Sequence, residues 1–143
     1  MATNLVYRNI DSKNRVEDLG KTLAPGAPAV SLAGLPVVAV TGSADYTVTE
    51  QVDSNISITG IPAGGVGLED QEVTLAFDGT WEFDAAAFGG TLPSANVAQG
   101  DSVYITAGGD LTTTEGSNTP FGYFDYPKDY DATRGFLPIR IGA

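Results

Sequence analysis

Two carboxylates, Glu82 and Asp84, stand beside the chain's one tryptophan, Trp81. Residues two apart in a strand share a face, so this pair could flank a sugar stacked on the indole and cleave a glycosidic bond by acid–base chemistry. The same alternation puts Trp81 and Phe83 together on the opposite face, which suits a core better, so Glu82 and Asp84 are expected on a strand's outer side. A second group, Asp125, Asp129 and Asp131 in "DYPKDYDATRG", supplies the oxygen ligands that calcium takes. It lacks the D-x-[DN]-x-[DN]-G order of a helix-loop-helix calcium site and holds Lys128 in its middle, so a solvated loop is expected. A third, "GIPAGGVG", has glycines suited to cradling a phosphate. It has neither the G-K-[ST] ending of a P-loop nor the G-x-G-x-x-G order of a dinucleotide site, and no basic residue stands near it.

The chain has no His and no Cys. This removes Ser-His-Asp and Cys-His nucleophiles, disulfides, and the commonest general base and transition-metal ligands. A Ser-Lys dyad needs a buried lysine, and Lys13, Lys21 and Lys128 all lie in polar stretches. No catalytic residue, cofactor or metal site is expected, and the protein is not expected to be an enzyme.

Net charge is −11 and unevenly placed. Residues 1–21 hold Arg8, Lys13, Arg15 and Lys21 against Asp11, Glu17 and Asp18; the remainder carries three basic against fifteen acidic residues. Nucleic acid and anionic lipid are both bound through Lys and Arg, so neither is an expected partner. No run approaches the roughly 18 apolar residues of a spanning helix. The first fifteen residues lack the cationic and apolar regions of a signal peptide, so synthesis in the cytoplasm is expected.

The elements read as strands. The 143 residues, with 18 Gly, 8 Pro and short apolar runs, suggest one all-β domain, a compact β-sandwich or small barrel. Pro25 and Pro28 restrict "TLAPGAPAVSLAG" to an irregular or edge strand. "LPVVAV" reads as a short buried strand, while "DYTVTEQV" and "SNISITGIP" read as half-buried ones. "EVTLAFDGTWEF" has a strand on each side of Asp78-Gly79, a pair that favours a type I′ hairpin turn, with a bulge in one long strand as the alternative. Ala85 to Phe88 suit one helical turn ended by Gly89-Gly90. "SVYITA" and "LTTT" flank a turn at Gly108-Gly109-Asp110, and "PFGYFDY" and "FLPIRIGA" close the chain.

Residues 1–20 read as an extended N-terminal arm on a β-rich domain spanning 21–143. Leu5, Val6, Tyr7 and Ile10 are too few to form a core of their own and are expected to bury against the body or a partner. In the polar loop before the last strand, Tyr126, Tyr130 and Arg134 are the candidates for a partner or self-association interface, with core packing as the alternative for the tyrosines.

The order of several segments resembles the capsid decoration, or cement, proteins of tailed phages. These are "MATNLVYRN", "PGAPAVSLAGLPVVAVTG", "EVTLAFDGTWEF" and the closing "AQGDSVYITAGGDLTT…GYF…FLPIRIGA". Within them lie a G-D-x-V-Y turn and strand (Gly100, Asp101, Val103, Tyr104), a G-x-F strand (Gly122, Phe124) and the ending Ile139-Arg140-Ile141. "FDYPKDYDATRG" departs from the pattern, being longer than the usual last turn. The resemblance implies a β domain without catalytic residues on the outside of an expanded head. There it would bind the major capsid protein, as a homotrimer at three-fold and quasi-three-fold positions, and brace the shell. The four apolar arm residues would be capsid-binding. The competing expectation is a carbohydrate- or receptor-binding β module of a phage tail or cell surface, which Trp81 exposed beside a groove would favour and a buried Trp81 would disfavour.

Overall fold

The computed structural model describes residues 5–7, 14–62, 68–93, 97–128 and 130–142. It is all-β. The strands are β1 (Leu5–Tyr7), β2 (Asn14–Asp18), β3 (Pro28–Val30), β4 (Pro36–Ala39), β5 (Thr47–Asp53), β6 (Ile56–Pro62), β7 (Glu72–Ala76), β8 (Gly79–Phe83), β9 (Ser102–Ile105), β10 (Leu111–Thr112), β11 (Thr119–Phe124) and β12 (Leu137–Ile141). Two 3-10 turns, Ala85–Phe88 and Ala132–Arg134, complete the described elements. A six-stranded antiparallel sheet runs β1-β8-β12-β11-β9-β10, a four-stranded one β2-β7-β4-β3, and β5-β6 stand as a pair.

The two larger sheets share a core. Trp81, Phe83, Val103, Ile105, Phe121, Phe124, Ile139 and Ile141 of the first sheet cluster with Val38 and Ala76 of the second. The other face of the four-stranded sheet buries Val37, Ala39, Val73 and Leu75 under the segment carrying Leu23. This sheet is therefore covered on both sides, which is why β4 reads as an unbroken apolar run instead of an alternation. As Pro28 at its start requires, β3 lies at the sheet edge.

The hairpin expected at Asp78-Gly79 does not form. β7 pairs with β2 and β4, whereas β8 pairs with β1 and β12, so the chain crosses between sheets at this point. The alternation was legible, but it describes two strands that face one core from opposite sheets. Gly79 takes φ 104°, which a side chain would resist. The buried Trp81 indole N–H donates to the Asp78 carbonyl at 2.9 Å and fixes the corner.

The helical turn at 85–88 forms as expected, with the Asp84 carboxylate accepting from the Ala87 N–H and Gly89 in the left-handed region. The turn at 108–110 joins β9 to β10, and β11 pairs with β12. The β5-β6 pair differs from its reading as half-buried strands: none of its described side chains is buried. Both strands alternate, but no layer lies beneath the apolar positions.

Of the segment read as an arm, Leu5–Tyr7 adds an edge strand to β8, with Leu5 opposite Trp81, and Asn14–Asp18 pairs along β7. Ile10 lies outside the described residues.

Candidate functional site

The loop between β11 and β12 was the sequence's candidate for partner contact, and its two tyrosines are half-buried against the body while Lys128, Asp131, Thr133 and Arg134 stay exposed. Tyr126 stacks on Phe124 at a centroid distance of 6.5 Å and meets Tyr130 at 5.9 Å. The Tyr130 hydroxyl donates to the Glu82 carboxylate, which also receives the Arg134 guanidinium. That guanidinium lies 5.5 Å from the Tyr130 ring centre and 5.8 Å from that of Phe136. One carboxylate on β8 therefore ties down the loop from two positions. Half of the Arg134 side chain stays exposed.

The electrostatics follow from this packing. Burial, and then the hydrogen bond to Glu82, push the Tyr130 hydroxyl up to about 12. Burial raises Tyr126 as well, with the Asp101 charge adding to it. Two hydrogen bonds from Thr133, side-chain and backbone, hold Asp131 below the usual carboxylate range. The hydrogen bond with Tyr130, and then the Glu82 charge, raise Arg134.

The chemical candidates separate. Glu82 is committed to Tyr130 and Arg134, and Asp84 caps a 3-10 turn. Trp81 is 1% exposed and lies in the core, which favours the decoration expectation over the carbohydrate-binding one. Asp125 faces Gln99 Nε2 at 3.0 Å and Arg140 at 3.7 Å, while Asp131 caps the turn at 132–134. Asp129 and the glycines at 64, 65 and 67 lie outside the described residues. Among the described residues no three carboxylates gather at one point. A cleft of about 540 Å³ lies between the Pro25–Pro28 segment and β8, with Lys21, Phe83 and Phe136 also on its wall. No described helix is long and apolar enough to cross a membrane.

The short motifs prove to be scaffold. Gly100, at φ 86°, donates its N–H to the Phe124 carbonyl at 2.8 Å, and the Phe124 N–H donates to the Asp101 carbonyl at 3.0 Å. The G-D turn and the G-x-F strand thus clasp each other, burying Val103 and Phe124 completely. The sequence reading missed Gln99, which also stitches this region by accepting the Tyr126 N–H at 2.7 Å. A lone Gln in a loop carries no pattern that would single it out.

Among the described residues, the candidate polar side chains hold loops and corners of a β body. The match to a family model sharpens this: residues 28–139 match the phage cement protein family, and the chain belongs to it. No curated protein and no solved structure matches the chain. Membership gives the chain a structural role in the phage virion, as a capsid-binding component.

Proposed function

We propose that the chain decorates the outer surface of the expanded head, contacts the major capsid protein, and stabilises the shell as a homotrimer at three-fold and quasi-three-fold positions. The observation that carries this reading is the family match over residues 28–139, joined to a committed, catalyst-poor set of polar side chains. The acidic balance supports an outer position, because a −11 chain is repelled by packaged DNA. Within residues 1–20, whose β1 and β2 join the body's sheets, Leu5, Val6, Tyr7 and Ile10 contact the shell. Tyr126 and Tyr130 set the shape of the last loop, and the exposed side of Arg134 faces a partner there.

Cosedimentation of purified protein with expanded, undecorated heads tests the proposal. Saturable binding at three copies per three-fold position is expected. No binding to expanded heads, or equal binding to unexpanded ones, overturns it.

A further inference from the structure

We draw no further inference here: the strongest candidate, the face of the β5-β6 ribbon that carries the exposed Ile56 and Ile58, supports no proposal because nothing in the structure shows what covers it.

Discussion

Gly122 lies against the main-chain carbonyl of Arg140, and a β-carbon at position 122 would collide with that oxygen and crowd Ile139 Cγ2. The contact sits where β11 pairs with β12 and where the β11–β9 register shifts between Pro120 and Gly122. The obstacle is backbone in a central strand, so it cannot rotate away. Gly122→Ala is expected to destabilise the fold by about 3 kcal/mol, the upper end of overpacking penalties. That lowers the melting temperature by roughly 10 °C. Calorimetry of the variant checks it; an unchanged melting temperature would show that the strands separate without cost.

The carboxylate of Glu82 joins Tyr130 and Arg134 across a gap of about fifty residues in sequence. Glu82→Gln keeps the side-chain shape and removes the charge. The ion pair is half exposed and worth little by itself, whereas a hydrogen bond to a charged acceptor is worth more, so a loss of about 1–2 kcal/mol is expected. Paired with Tyr130→Phe in a double-mutant cycle, the two losses should be less than additive. Urea denaturation of the four proteins measures this, and strict additivity would mean the hydroxyl and carboxylate do not interact.

The same tyrosine predicts a pH dependence. Its folded value of about 12 lies above the ordinary tyrosine value of 10.0, so the native state holds its proton where the unfolded chain releases it. The resulting stability is fully present below pH 10 and lost as pH rises towards 12. Denaturation midpoints at about pH 9 and about pH 11.5 should fall less in Tyr130→Phe than in wild type. Equal falls in both proteins would contradict the role of this hydroxyl.

The fold class was legible because its signals are local. Alternation at Trp81 and Phe83, prolines at 25 and 28, and glycines at turns each act within a few residues. The Asp78-Gly79 corner was misread because a sheet crossing and a hairpin share the same local pattern; what separates them is which distant strands pair with each half. The inward turn of Tyr126 and Tyr130 was open in the sequence for a related reason. Their partners, Glu82 and Phe124, are fixed by the fold rather than by spacing. The exposure of β5 and β6 was hidden as well, since alternation marks an apolar face without saying what covers it.

Removal of residues 2–10 tests the arm's part in shell binding, with the loss of the β1–β8 pairing read separately by circular dichroism. It takes away β1 and all four apolar arm residues but leaves β2 on β7. Fully burying each of Leu5, Val6 and Tyr7 against a shell gains about 1.5–3 kcal/mol. β1 is already ordered on β8, so the opposing cost is the lost freedom of association, about 4–15 kcal/mol. These sums are comparable, so one arm binds weakly by itself. Three arms carried on one trimer act at high effective concentration once the first engages, and the combined effect can exceed any single arm by orders of magnitude. Head occupancy of the truncated protein at limiting concentration should therefore fall at least tenfold, while its light-scattering mass per assembly stays at three chains. Wild-type occupancy in the truncated protein would remove the arm from the binding mechanism. A fall in mass would instead place β1 in the self-association contact.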